Sequence, residues 1–174
     1  MQNPPQHSGS QLHYPVGNVF IVLSLLAALF LNGLPWEGVW LMLRPDFVGL
    51  VLLYWCMHKP WRIGVGMAWM IGILADVADA SLFGQHALAY ALLGFGGVVL
   101  HRRLQMFSLR HQTTQVFGIL LLTYAIYALV NWQVNGTMVW GYFLGCLTST
   151  LLWIPLSMLF QTLRQLRLDG DSRA

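Results

Sequence analysis

Charged residues are scarce in this chain. They make up 9% of the 174 residues, while hydrophobic residues make up 57%; a typical soluble domain has about 25% charged residues. So little charge excludes a water-soluble surface. The net charge of +3 does not indicate nucleic-acid binding, because the basic residues lie in short segments between apolar runs, where they orient membrane proteins. The composition therefore predicts an integral membrane protein with one domain.

Cysteine is also rare. Cys56 and Cys146 both lie in apolar segments, and there is no CxxC motif, so we expect small buried side chains rather than a disulfide. Residues 1–15 contain no Lys or Arg and lack the pattern of a secretory signal. We expect a short disordered cytoplasmic tail that is retained.

Long apolar runs are abundant, and they predict six transmembrane helices. The predicted spans are residues 16–34, 45–57, 63–79, 82–100, 116–132 and 139–160. The second span begins at Pro45, which suits a first helical turn, and covers only about 20 Å. Either Val39 to Leu43 extend it, or its outer end lies below the membrane surface. We therefore predict three parts: the disordered cytoplasmic tail over 1–15, a transmembrane domain over 16–160 and a basic cytoplasmic tail over 161–174.

The distribution of basic residues predicts the orientation of the spans. With a cytoplasmic N-terminus, the outer loops contain a single basic residue, Arg44. The inner segments contain Lys59, Arg62, Arg102, Arg103, Arg110, Arg164, Arg167 and Arg173. By the positive-inside rule, both termini are cytoplasmic and the 101–115 segment is an inner polar loop.

The third span carries a stripe of small residues at a spacing of four, which places them on one helix face. The stripe consists of Gly64, Ala68, Gly72, Asp76 and Ala80. Small stripes are where membrane helices approach closely, so Asp76 is expected to face protein. A second stripe, Gly141, Gly145 and Ser149, predicts close packing of the sixth span.

Asp76 and Asp79 lie at the end of the third span, where the helix dipole disfavours negative charge. A compensating partner is therefore expected, and Arg44 is the only outward cation. We predict that Arg44 pairs with Asp76. For Asp76, a structural polar contact between helices is the alternative to a role in partner binding or conformational change. For Asp79, the alternatives to a functional role are an interfacial residue that faces water and a cap of the next helix. Ser81 is also a candidate for that cap.

No catalytic, metal or cofactor site is predicted. Asp76-x-x-Asp79 matches half of a metal-binding phosphatidyltransferase motif, but residues 80–100 contain no second acidic pair. An aspartic dyad is disfavoured because both acids lie on one helix. His86 and His101 lack a ligand-like spacing. Tyr124, Tyr127 and Asn131 share a helix face, which is typical of packing.

Several polar landmarks occur in a recognisable order. They are LPW (34–36), LRPDFVGLVLLYW (43–55), PWRIGVG (60–66), GILADVADASLFGQHAL (72–88) and LWIP (152–155). Over about residues 20 to 165, this pattern resembles the bacterial rod shape-determining protein MreD family. The six-helix arrangement of that family is similar to the substrate-capture subunit of energy-coupling vitamin transporters, an analogy that carries no ligand with it.

The resemblance implies a non-enzymatic inner-membrane scaffold of the cell-elongation machinery. Its expected partners are MreC, the RodA polymerase with its transpeptidase, and the MreB filament. The candidate residues for partner binding or helix packing are Arg44, Pro45, Gly72, Asp76, Asp79 and Gly84. The inner basic clusters either only fix orientation, or contact anionic lipid or a cytoplasmic partner. A small-molecule-binding transporter subunit is the alternative function, and an intramembrane enzyme is a third.

Overall fold

The described part of the chain is helical throughout. The computed structural model describes residues 18–79, 84–106, 109–136 and 140–171. Across these ranges there is no strand, and the helices are α1 (Asn18–Asn32), α2 (Val39–Leu43), α3 (Phe47–His58), α4 (Val65–Ala78), α5 (Gln85–Met106), α6 (Leu109–Asn135) and α7 (Gly141–Asp171). The predicted N-terminal tail and the predicted cap at Ser81 lie outside the described residues.

The second predicted span is divided into two helices. Val39–Leu43 form the separate helix α2, so they do not extend α3. Asp46, rather than Pro45, marks the start of α3, because its side chain accepts a hydrogen bond from the Gly49 amide at 2.9 Å. The prediction that Pro45 lies in the first helical turn is therefore wrong: α3 begins at Phe47, two residues later, and the Asp46 side chain caps it.

The prediction of a polar loop over 101–115 is wrong, because most of this segment is helical. Helix α5 continues to Met106, and α6 begins at Leu109. Arg, Gln and Leu are good helix formers, so both helices extend past the point where the apolar pattern ends. Helix α6 also continues to Asn135, past the predicted end of its span at residue 132, and α7 continues through residues predicted as tail to Asp171.

Helix α3 lies at the centre of the bundle. All its residues from Val48 to Met57 are buried, so it is enclosed on every side rather than presenting one face. It packs against α1, α5 and α7, while α5 also packs against α4 and α6, and α6 against α7. This helix of 12 residues is about 18 Å long, which is shorter than the thickness of a membrane. Its neighbours in the bundle cover it on all sides.

The outside of the bundle is apolar. Large hydrophobic side chains are exposed along α1, α4, α6 and α7; examples are Phe30, Met70, Leu122 and Leu151. Two helical segments, His111–Asn135 and Gly141–Leu163, are long and apolar enough to cross a membrane, and the apolar segments Val19–Asn32, Phe47–His58 and Val65–Ala78 are shorter. An apolar exterior around a helical core is the pattern of a helical membrane protein.

Candidate functional site

The small-residue stripe of α4 lies directly against α5. Ala68 and Asp76 are buried, at 0% and 1% exposure. A Cβ atom added to Gly72 would lie 2.6 Å from the His86 carbonyl oxygen, and one added to Gly94 would lie 2.7 Å from the Ala68 Cβ. The two helices can approach this closely only because Gly72 and Gly94 have no side chain. The prediction that the stripe packs closely and that Asp76 faces protein is confirmed for its described residues, and the partner is α5. The Asp76 carboxylate lies beside the first turn of that helix. Ala80, the last residue of the stripe, lies outside the described residues.

Asp76 accepts hydrogen bonds from the start of α5. The backbone amides of Gly84, His86 and Ala87 donate hydrogen bonds to its two oxygens, at 2.8, 2.8 and 3.3 Å. The His86 Nδ1 lies 3.0 Å from Asp76 Oδ1. Gly84 has φ +99°, a conformation that glycine adopts without strain. The free amides and positive dipole end of α5 thereby offset the unfavourable position of Asp76 near the end of α4.

Arg44 forms its ion pair with Asp79, which corrects the prediction of a pair with Asp76. The Arg44 Nη2 lies 2.7 Å from Asp79 Oδ2, with the side chains 23% and 15% exposed. Asp79 follows α4 as its C-cap residue, whereas Asp76 lies about one turn earlier and points to α5. The sequence indicates that both acids need a partner. It does not indicate which acid accepts hydrogen bonds from the start of α5 and which one pairs with Arg44.

The link from α2 to α3 is thus joined to the end of α4. We call Arg44, Asp76, Asp79 and His86 the ionic cluster. His86 connects its two acids, because its Nε2 lies 3.8 Å from Asp79 Oδ2. In this cluster three side chains are partly accessible and Asp76 is fully enclosed.

Asp46 is the centre of a second polar group that sequence reasoning missed as a site. Asp46 Oδ1 accepts hydrogen bonds from the Tyr90 hydroxyl at 2.7 Å and the Asn32 amide at 3.4 Å, and Oδ2 accepts one from the Tyr127 hydroxyl at 3.1 Å. The Asp46 amide donates to Ser149 Oγ at 3.0 Å and to the Tyr124 hydroxyl at 3.2 Å. This Asp46 network joins α3 to α1, α5, α6 and α7.

Two sequence signals could have found the Asp46 network. Tyr124 and Tyr127 share one face of α6, and Gly145 and Ser149 share one face of α7. A Cβ atom added to Gly145 would lie 3.2 Å from the Arg44 carbonyl oxygen, so this stripe brings α7 against the α2–α3 link. Pro45 sits in that link, half-buried between the two polar groups.

The two groups touch through His86. Its ring centroid lies 4.9 Å from that of Tyr127 and 5.7 Å from that of Tyr90. Among the described residues, no three His, Cys, Asp or Glu side chains are grouped so that they could hold a metal ion. The arrangement offers fixed charges and hydrogen-bonding groups at one end of a rigid bundle.

Comparison with known proteins gives the chain a family. The family model described as rod shape-determining protein MreD matches residues 15–163. The rod shape-determining protein MreD of Haemophilus influenzae is 28% identical over 148 residues, which is 84% of this chain and 91% of the relative. No solved structure matches. Because the family match covers the bundle from α1 into α7, this chain belongs to the MreD family of rod shape-determining membrane proteins.

Proposed function

We propose that this chain is a non-enzymatic scaffold of the bacterial cell-elongation complex in the inner membrane. In this proposal it binds MreC and helps to position the RodA polymerase and its transpeptidase, with MreB linked directly or through MreC. The observation that carries the proposal is the family match over residues 15–163. Family membership itself implies a role in rod shape determination.

We propose six membrane spans with both termini cytoplasmic. The arrangement of tryptophans supports this, because such side chains anchor membrane proteins at both interfaces. Trp40 and Trp140 are 67% and 70% exposed near the meeting of α2 and α7, and Trp61 is 92% exposed in the turn between α3 and α4. Lys59 and Arg62 flank Trp61, as expected for a cytoplasmic turn.

We propose that MreC docks at the ionic cluster with its membrane span or juxtamembrane segment. The partly accessible side chains of Arg44, Asp79 and His86 offer polar groups at the edge of the bundle. Asp76 and the close contact of Gly72 with α5 hold these groups in place. A rigid polar site beside an apolar exterior suits a helical partner, since its polar groups do not have to be ordered upon binding.

The inner basic residues are proposed to fix the orientation and to contact anionic lipid headgroups. This lipid contact is separate from the docking of MreC, because the positive-inside arrangement puts the basic segments and the ionic cluster on opposite sides of the membrane.

Isolation of the tagged full-length chain in mild detergent tests the scaffold role. We expect MreC to be recovered in stoichiometric amounts, together with RodA and its transpeptidase at lower yield, and none of them from membranes of untagged cells. Recovery of an ATPase-driven transport module without MreC would contradict the scaffold role and favour a transporter subunit. A lone chain that turns over a substrate would favour an enzyme.

A further inference from the structure

We propose that the membrane-spanning helix of the docked partner lies along the exposed face of α4, so that its outer end meets the ionic cluster. We call this face, formed by Met67, Met70, Leu74 and Val77, the α4 seam. The inference rests on the proposed function, because it names the surface through which that docking site continues into the membrane. The occupant is an uninterrupted apolar helix that is long enough to cross the bilayer.

The α4 seam is a continuous apolar strip on the outside of the bundle. Its four side chains follow one another at spacings of three, four and three residues, which places them on one side of the helix. They are 46%, 58%, 58% and 65% exposed. Ala68, Gly72 and Asp76, in contrast, are buried, and this stripe faces α5. One face of α4 therefore packs inside the chain, and the seam faces outward.

The length of α4 makes this outward face a poor match for lipid. The helix has 14 residues between its N-cap Gly64 and its C-cap Asp79, about 21 Å, whereas the hydrocarbon core is about 30 Å thick. Helices α5, α6 and α7 have 22, 27 and 31 residues and are long enough to cross it. Helix α3 is as short as α4, but it is enclosed. A short exposed helix either thins the bilayer or associates with another helix.

The outer end of the seam leads directly into the ionic cluster. Val77 lies two residues before Asp79, whose carboxylate pairs with Arg44 at 2.7 Å. A partner helix on the seam therefore reaches the partly accessible polar groups at the level where it leaves the hydrocarbon. The apolar contact and the polar contact then form one surface, and both lie on a rigid part of the bundle that needs no ordering upon binding.

Helix α1 also exposes an apolar face, but that face does not lead to the ionic cluster. Leu23 and Leu26 are 57% and 55% exposed. The helix ends at Asn32, which is 4% exposed and uses its side chain in hydrogen bonds to Asp46 and to the Phe47 amide. A partner helix on α1 would find no accessible charged pair at this end. The α1 face is therefore the matched control for the α4 seam.

Photo-crosslinking in native membranes tests the assignment. The photoreactive residue p-benzoylphenylalanine is placed at position 70 or 74 of the tagged full-length chain, and at position 26 as the control. The native side chains at these positions are similarly exposed, so each probe faces outward. We expect positions 70 and 74 to give a product that contains this chain and MreC, and position 26 to give none above background.

Three results would overturn the assignment while MreC is still recovered with the native chain. They are an equal yield of the MreC product at position 26, a product at positions 70 and 74 that contains only lipid, and one that contains only a second copy of this chain. If the native chain recovers no MreC at all, the scaffold role itself fails. The two failures are thus distinguishable.

Truncation of the seam provides a second measurement. The double variant Met70→Ala with Leu74→Ala should reduce the recovery of MreC about fivefold at equal expression, because two contact side chains are shortened. The double variant Leu23→Ala with Leu26→Ala should leave recovery unchanged. All four native side chains are more than half exposed, so neither double variant opens a cavity in the core. Equal recovery with the two double variants would overturn the assignment.

Discussion

At the scale of single residues, Asp46 carries more of the contacts between helices than any pattern in the sequence suggests. Its side chain and amide connect α3 to residues of four other helices. Asp46 is buried, at 6% exposure. A buried carboxylate is stable only when hydrogen bonds replace its hydration, and here tyrosine hydroxyls, an amide side chain and the Gly49 amide provide them.

We predict that Asp46→Asn destabilises the bundle by about 2 kcal/mol. The substitution retains the size of the side chain but replaces one accepting oxygen with an NH₂ group that faces hydrogen-bond donors. The measurement is equilibrium unfolding in mixed detergent micelles. Glu37→Gln is the control, since it removes an exposed carboxylate and should have little effect. Equal stability of the two variants would contradict the structural role of Asp46.

Part of the site could be predicted from the sequence at this scale. The small stripe identified Asp76 as a residue facing protein, because helix periodicity determines which residues share a face. The partner of Arg44 was assigned wrongly, because Asp76 and Asp79 are one turn apart and periodicity does not decide between them. The Asp46 network depends on tyrosines more than 40 residues away along the chain, and one-dimensional patterns do not report such contacts.

At the scale of elements, α4 packs closely against α5. This packing depends on Gly72, where an added Cβ would meet the backbone of His86 and Ala87. Backbone atoms cannot rotate away as a flexible side chain can, so a larger residue must separate the helices.

We expect Gly72→Ala to destabilise the bundle by about 2 kcal/mol or more, as overpacking does. Gly66→Ala is the matched control on the same helix, because an added Cβ there meets nothing within 4 Å. It should be neutral or stabilising by up to about 1 kcal/mol, from helix propensity. Thermal unfolding in detergent distinguishes the two. A Gly72→Ala protein as stable as Gly66→Ala would show that the helices are not in close contact.

Asp76→Asn should loosen the first turn of α5, because both Asp76 oxygens accept backbone amides and one of them is replaced by an NH₂ group that cannot accept. We expect faster hydrogen exchange at the amides of His86 and Ala87. Asp79→Asn provides the comparison, since Asp79 pairs with Arg44 through the side chain, and it should leave these amides unchanged. If both variants exchange alike, Asp76 does not cap α5.

The ends of the helices could be predicted from the sequence where an apolar run stops abruptly. They could not be predicted where the polar residues that follow the run also favour a helix. The end of α5, the start of α6 and the end of α7 extend past their apolar segments for this reason. The break between α2 and α3 depends on the Asp46 side chain, whose role as a cap is visible only once its hydrogen bond to Gly49 is known.

At the scale of the whole molecule, the apolar exterior and the polar clusters have separate roles. The exterior matches lipid, while the ionic cluster and the Asp46 network hold the α2–α3 link, α4 and α5 together at one end. In the proposed orientation this end, with Arg44, faces outward, and the other basic residues face the cytoplasm.

Thiol labelling of intact cells tests this orientation. With a membrane-impermeant reagent we expect Glu37→Cys to be labelled and Trp61→Cys to be protected until the membrane is permeabilised. Both native side chains are exposed, and the two native cysteines are buried and should not react. Labelling of Trp61→Cys in intact cells would reverse the proposed topology.

The most direct measurement of the central claim is the recovery of MreC with variants of the Arg44–Asp79 pair. We predict that Arg44→Asp and Asp79→Arg each reduce the recovery of MreC at least about tenfold, which corresponds to about 1.4 kcal/mol. The double exchange, which restores opposite charges at the 2.7 Å contact, should regain most of it. Full recovery of MreC with both single variants, at equal expression, would contradict the claim that this cluster is the docking surface.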